Sequence, residues 1–202
     1  MNMSVISCTA QQAELLSQRD EKLGKFIKEK GIISRDGFDD VFGGICYNIV
    51  NQQISMKACE ALWTRLCEQL SEIAPQNCLD AAKLRACGLS QSKANCIAEC
   101  ARRFTTGELS AQNLHNMTDT EVKTALTTIK GIGEWTAEMT LIFCLGRDDV
   151  LSLSDFGIRK GISLLHDIDI NNVKEMKKFK KLYSPCGTAA SLYLWEAARE
   201  LL

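Results

Sequence analysis

The stretch LTTIKGIGEWTAEMTLIFCLG, residues 126–146, decides the fold of this 202-residue chain. Apolar residues at helical spacing precede the turn Gly131-Ile132-Gly133, and helical spacing resumes at about Glu134. Two glycines on either side of one apolar residue allow backbone angles that larger side chains disfavour. The stretch therefore predicts two helices joined by a tight hairpin turn.

The hairpin turn predicts an anion site at the start of its second helix. The first N–H groups of a helix have no partner within that helix, and the helix dipole adds positive potential there. We expect the contacts to come from Gly131, Gly133 and the hydroxyl of Thr136, and a DNA phosphate is the natural occupant. For a Gly-Ile-Gly turn taken alone, a hairpin that only packs helices is the alternative.

Helical spacing recurs along nearly the whole chain, whereas alternating β-branched runs are scarce, which predicts an all-α fold. We expect one charged helix over residues 11–30. Ser55 and Ser90 occupy cap positions, and Thr118 with Glu121 forms a capping-box pattern. Because the chain has only two prolines, few residues force a helix to end.

The composition is that of a globular protein, with 46% hydrophobic and 24% charged residues. No apolar run approaches the roughly 20 residues of a membrane-spanning helix, and the first residues show no secretory signal. The ten cysteines are therefore expected to be thiols in a reducing compartment, the cytoplasm of a bacterium or the nucleus of a eukaryote. The net charge of −1 predicts modest non-specific DNA affinity with a shallow salt dependence.

Further motifs flank the hairpin in order: FGGICYNIVNQQISMKA (42–58), GLSQSKANCIAECA (88–101), VLSLSDFGIRKGI (150–162) and SLYLWEAAREL (191–201). With the hairpin, they resemble the helix-hairpin-helix DNA glycosylase superfamily, and within it the branch of 3-methyladenine DNA glycosylase II without its N-terminal β-rich domain. The resemblance implies two helical subdomains with a cleft between them. One is a six-helix barrel of residues 37–148, and the other combines residues 1–36 with 149–202.

The resemblance places the catalytic residue at Asp155, twenty positions after Trp135. Asp155 also precedes a helical segment, in a cap position where backbone N–H groups and the helix dipole stabilise an anion. A carboxylate there stabilises the oxocarbenium-like sugar, or orients the attacking water, while an N-glycosidic bond is cleaved. For an isolated aspartate, a cap without catalysis is the alternative.

By the same resemblance, Trp135 and Trp195 line the pocket that receives the flipped base. An electron-rich indole face attracts a cationic base more strongly than a neutral one. Ordinary packing in the core is the alternative for each tryptophan.

The resemblance also implies contacts to DNA and to a cation. Gln53 lies in the turn that inserts a residue into the gap left by the flipped base, with a helix-end cap as the alternative. Lys93 is a candidate phosphate contact, with a solvated lysine as the alternative. A structural Na⁺ or K⁺ would be held by the backbone carbonyls of Thr127, Ile129 and Ile132.

Departures from the family pattern narrow the expected chemistry. Trp135 stands where strand-cutting relatives carry a lysine nucleophile, so no Schiff base forms there and no abasic-site lyase activity is expected. After Cys144 only Cys186 remains, so the four-cysteine spacing of an iron–sulfur cluster is absent and no cofactor is expected to be required. Because His115 and His166 fall outside the motifs, no general acid is evident.

The expected function is therefore removal of 3-methyladenine and 7-methylguanine from double-stranded DNA in base excision repair. These bases carry a positive charge in DNA and leave as neutral bases, so they need no general acid. We expect a monomer with no membrane partner. The alternatives are a glycosylase for a neutral or oxidised base, and a non-catalytic helix-hairpin-helix protein that binds DNA; Asp155 argues against the second.

Overall fold

The computed structural model describes residues 4–201, which are mostly helical, as the all-α fold class requires. These residues divide into two compact units. The first contains Phe38–Leu145, and the second combines Ser4–Gly37 with residues 146–201. Within the described part of the chain, no helix is both long and apolar enough to cross a membrane.

The first unit is helical along most of its length. Its elements are α3 (Val41–Asn51), α4 (Met56–Leu70), a short 3-10 turn (Pro75–Asn77), α5 (Ala81–Ala86), α6 (Gln91–Thr105), α7 (Ala111–Asn116), α8 (Asp119–Thr127) and α9 (Glu134–Phe143). The expected caps are confirmed, because Ser55, Ser90 and Thr118 each accept a hydrogen bond from the amide three residues further on. Thr118 and Glu121 complete the capping box at the start of α8.

The second unit surrounds the packed pair of helices α10 and α12. Its elements are β1 (Val5–Ser7), α1 (Ala10–Arg19), α2 (Glu21–Lys30), β2 (Ser34–Asp36), α10 (Phe156–His166), α11 (Val173–Tyr183) and α12 (Gly187–Glu200). The strands β1 and β2 pair antiparallel, with Ile6 opposite Arg35. This small sheet was not expected from the sequence, because strands of three residues are too short to show an alternating pattern.

Helices α10 and α12 approach each other closely at Gly161. A Cβ atom at this position would lie 2.7 Å from the carbonyl carbon of Leu194 and closer still to its oxygen. Only glycine therefore permits this separation of the two helix backbones. This approach also fixes the spacing between Asp155, which directly precedes α10, and Trp195 in α12.

The prediction of one helix over residues 11–30 is wrong, because the chain breaks at Asp20. The backbone of Asp20 is extended (φ −141°), and its Oδ1 accepts hydrogen bonds from the amides of Lys22 and Leu23 at 3.0 and 3.1 Å. Asp20 therefore ends α1 and caps α2. The apolar spacing hides this break, since it continues at a helical period on both sides of Asp20.

The other carboxylate oxygen of Asp20 lies in a buried polar cluster. The hydroxyl of Tyr183 donates to Asp20 Oδ2 at 2.6 Å, and His166 Nε2 lies 3.2 Å from the same oxygen. Burial alone would raise the pKa of Asp20, but the hydrogen bonds from His166, Tyr183 and the Leu23 amide outweigh it and lower the pKa to about 2. The ionised form of Asp20 therefore stabilises this unit.

Asp20→Asn should reduce the free energy of unfolding by about 2 kcal/mol at neutral pH. Because the folded-state pKa lies below the ordinary value of 3.8, this contribution is present above pH 3.8 and is lost as pH falls through about 2. Urea unfolding across this range should show the difference from the wild type shrinking with acid. A difference that stays constant with pH would contradict the assignment. Asp80→Asn is the control, since Asp80 caps α5 through two amides at an exposed position.

Candidate active site and hairpin turn

Asp155 caps helix α10, as the sequence predicts, and its carboxylate is held by two elements of the second unit. Oδ1 accepts a hydrogen bond from the amide of Ile158 at 2.8 Å and another from the indole N–H of Trp195 at 2.9 Å. Asp155 is only 9% exposed. The first turn of α10 and a side chain of α12 therefore fix the direction of one carboxylate that is mostly shielded from water.

The loop that leads to Asp155 is tied to α12 by hydroxyl groups. The amide of Val150 donates to Thr188 Oγ1 at 3.2 Å, and Ser191 Oγ donates to the carbonyl of Val150 at 2.9 Å. Neither contact was predictable from the sequence, because Thr188 and Ser191 look like ordinary small residues of a buried helix. Their contacts join the loop to the helix that carries Trp195.

The prediction of two helices joined by a hairpin turn is confirmed by α8, the turn and α9. Gly131 has φ +105°, a left-handed conformation that favours glycine, and a Cβ at Gly133 would meet nothing within 4 Å. Gly133 is the N-cap residue of α9, and no side chain makes a capping hydrogen bond there. No side chain at Gly133 therefore blocks the approach of an anion to the N–H groups in the first turn of α9. The phosphate contact itself stays a prediction.

The prediction that the Thr136 hydroxyl contacts a phosphate is wrong. Thr136 is only 1% exposed, and its Oγ1 accepts a hydrogen bond from Gln52 Nε2 at 2.8 Å. The same amide nitrogen donates to the carbonyl of Gly131 at 2.9 Å. Thr136 lies on the buried side of α9, so its hydroxyl anchors the turn after α3 to the hairpin instead of facing solvent.

Lys93 also acts on the turn after α3. Its ammonium donates to the carbonyls of Val50 and Gln52, both at 2.8 Å, and thereby satisfies groups at the C-terminal end of that helix. Burial lowers the pKa of the Lys93 amine. These bonds give Lys93 a structural role, and its contact with a phosphate stays a prediction.

Gln53 follows in the turn after α3. It is exposed with φ +54°, and its insertion into DNA also stays a prediction.

Lys93→Met should lower the free energy of unfolding by about 1–3 kcal/mol, because it leaves two carbonyls without their charged donor. The slope of log affinity for DNA against log salt should stay unchanged if the two carbonyls are the only partners of the ammonium. A slope reduced by about 1 would instead show a phosphate contact. Lys83→Met, at an exposed position of α5, is the control for stability.

The remaining predicted residues lie as follows. Trp135 is the second residue of α9 and Trp195 lies near the end of α12, and both are half-buried. Their shared role in a base pocket stays a prediction. Thr127 ends α8, and the carbonyl of Ile129 accepts a hydrogen bond from the amide of Ile132 at 3.0 Å. Among residues 4–201, no group of three or more His, Cys, Asp or Glu side chains is arranged to hold a metal ion.

The chain is similar in sequence to known DNA repair proteins. Residues 46–185 match the HhH-GPD superfamily of base excision DNA repair proteins. DNA-3-methyladenine glycosylase 1 of Schizosaccharomyces pombe is 33% identical to this chain over 159 residues, which cover 75% of this chain and 69% of that protein.

Solved structures agree closely with this fold. The crystal structure of DNA-3-methyladenine glycosidase from Bacillus halodurans has a TM-score of 0.83 at 32% identity, covering 98% of this chain and 94% of that one. The structure of S. pombe 3-methyladenine DNA glycosylase with abasic DNA has a TM-score of 0.85 at 29% identity, covering 93% of this chain and 96% of that one. This chain therefore belongs to the HhH-GPD superfamily of base excision DNA repair proteins.

Proposed function

We propose that this protein is a monofunctional DNA glycosylase that removes 3-methyladenine and 7-methylguanine from double-stranded DNA by hydrolysis, in base excision repair. The observation that carries the proposal is the shielded carboxylate of Asp155, held by the amide of Ile158 and the indole of Trp195. The similar proteins from S. pombe and B. halodurans are named for 3-methyladenine, which supports the same substrate class.

The Asp155 carboxylate supplies negative charge where the reaction needs it. As the bond between the sugar C1′ and the base nitrogen breaks, its electron pair leaves with the base and positive charge develops on the sugar. The carboxylate stabilises this charge and orients a water whose oxygen bonds to C1′. The water proton passes to Asp155 or to solvent. An alkylated purine that is already cationic leaves as a neutral base, so the reaction needs no general acid.

The proposed roles of the two tryptophans concern recognition of the base and the absence of strand cutting. Trp135 and Trp195 offer indole faces to the flipped base, and a cationic ring binds such a face more strongly than a neutral ring. Trp135 has no amine, so it cannot attack the sugar to form a Schiff base. The product is therefore an abasic site in an uncut strand.

DNA would be held mainly through the first unit. A phosphate would meet the backbone of Gly131 and Gly133, of which Gly133 has open space where a side chain would stand, and exposed Gln53 would enter the gap left by the flipped base. Backbone donors need no basic surface, in agreement with the net charge of −1.

A monovalent cation fits the hairpin. Carbonyl oxygens are suitable ligands for a hard cation. The carbonyl of Ile129 accepts one hydrogen bond, from the amide of Ile132, and retains a second lone pair. Na⁺ or K⁺ held by the carbonyls of Thr127, Ile129 and Ile132 would stiffen the turn, without taking part in catalysis. We also propose a monomer that acts in the cytoplasm of a bacterium or the nucleus of a eukaryote.

An assay of base release tests the proposal. Duplexes that carry 7-methylguanine, hypoxanthine or 8-oxoguanine are incubated with the protein, the free bases are quantified by chromatography, and the strands are examined for cuts without alkali, because hot alkali cuts at 7-methylguanine itself. We expect release of 7-methylguanine from strands that stay uncut. Preference for hypoxanthine or 8-oxoguanine would indicate a glycosylase for neutral bases, and binding without release would indicate a non-catalytic protein. Strands cut by the protein would contradict the monofunctional assignment.

A further inference from the structure

Arg35 lies against the candidate active site but belongs to no motif of the sequence. It stands in β2, opposite Ile6 of β1, and its guanidinium carbon lies 5.2 Å from the centroid of the Trp195 ring. Arg35 and Trp195 are 160 residues apart, and both lie outside the range 46–185 that matches the family. Arg35 therefore lies outside both the family match and the motifs of the sequence.

Stacking is the main interaction of the Arg35 side chain. Arg35 is half-buried, and burial lowers the pKa of its guanidinium, an effect that the carboxylates of Glu196 and Asp155 partly offset. Within residues 4–201, the guanidinium makes no ion pair or hydrogen bond, and its specific contact is with the Trp195 ring. A partly desolvated cation over an indole face is a strong form of this interaction.

The indole of Trp195 is confined by what surrounds it. Its edge packs against the first turn of α10, where a Cβ at Gly157 would lie 2.8 Å from Trp195 Cδ1. Its N–H donates to Asp155 Oδ1 at 2.9 Å. Arg35 covers a face of the ring, so loss of the guanidinium would let the ring rotate away from the carboxylate.

We propose that Arg35 is a positioning residue for the candidate active site, because its guanidinium, stacked on Trp195, holds the indole N–H on the carboxylate of Asp155. The catalytic consequence rests on the proposed function, whereas the stacking does not. Arg35→Met keeps much of the length of the side chain and removes the charge and the planar group. It should reduce the single-turnover rate of base release by about 3- to 30-fold.

The indole N–H resonances of the folded protein test the positioning without any activity. The chain has three tryptophans, so Trp195→Phe assigns the resonance of Trp195 by its disappearance. In Arg35→Met, that resonance should shift and its hydrogen exchange should accelerate. Arg199→Met is the matched control, since exposed Arg199 on the same helix pairs with Glu196 and should leave the resonance unchanged. An unchanged Trp195 resonance in Arg35→Met would overturn the proposal.

A double-mutant cycle tests the catalytic consequence. If Arg35 acts through Trp195, Arg35→Met should slow base release in the wild type and have no further effect in Trp195→Phe. Equal effects in both backgrounds would overturn this route. Arg35→Lys, which keeps the charge, should restore part of the rate. This recovery distinguishes loss of the cation from a folding defect in Arg35→Met. If the wild type releases no base, the proposed function fails, and the indole resonances still decide the positioning.

Discussion

Asp155→Asn should reduce the single-turnover rate of base release by roughly 10²- to 10³-fold while the protein stays folded. Asparagine is as good a helix cap as aspartate, and its amide oxygen can accept the hydrogen bonds that Ile158 and Trp195 now donate to Asp155. The substitution therefore removes the negative charge and preserves the local geometry. The positive charge that develops on the sugar then loses its main electrostatic partner.

The measurement is release of 7-methylguanine under single-turnover conditions, together with thermal unfolding of both proteins. Asp169→Asn is the matched control, because Asp169 is an exposed aspartate of the same unit whose Oδ1 accepts the amide of Asn171. The control should keep the wild-type rate. Equal rates for Asp155→Asn and the wild type, with both folded, would show that Asp155 only caps α10 and that catalysis lies elsewhere.

Local signals explain what the sequence could predict. The hairpin was predictable because Gly131 and Gly133 interrupt two helical patterns, and the cap at Asp155 because a polar residue precedes an apolar period. The capping box at Thr118 and Glu121 is equally local. In each case the residues that determine the feature lie within one turn of one another.

Contacts between distant residues explain what the sequence could not predict. Gln52 meets Thr136 across 84 positions, and helical periodicity does not reveal that seven of the ten residues of α9 are buried. The hydroxyl of Thr136 was therefore assigned to solvent. Arg35 was missed for the same reason, because nothing near β2 in the sequence indicates that Trp195 packs against it.

Gly161→Ala should lower the free energy of unfolding by about 2 kcal/mol or more, although alanine is the better helix former. The gain in helix propensity is about 1 kcal/mol. Forcing an extra methyl group into a packed interior costs about 3 kcal/mol when the neighbour cannot move. Here the neighbour is the backbone of Leu194, which no change of side-chain rotamer can relieve, so α10 and α12 must separate. The loss therefore exceeds the gain.

Separation of the two helices should also weaken the active site, because Asp155 caps the start of α10 and α12 carries Trp195. Urea unfolding measures the first effect, and the Trp195 indole resonance measures the second in the folded protein. Ser163→Ala, in the same helix, adds no atom and should change the stability by less than about 0.5 kcal/mol. A stabilised Gly161→Ala protein would mean that the helices part easily. In that case their close packing would not be what holds the indole N–H of Trp195 on the carboxylate of Asp155.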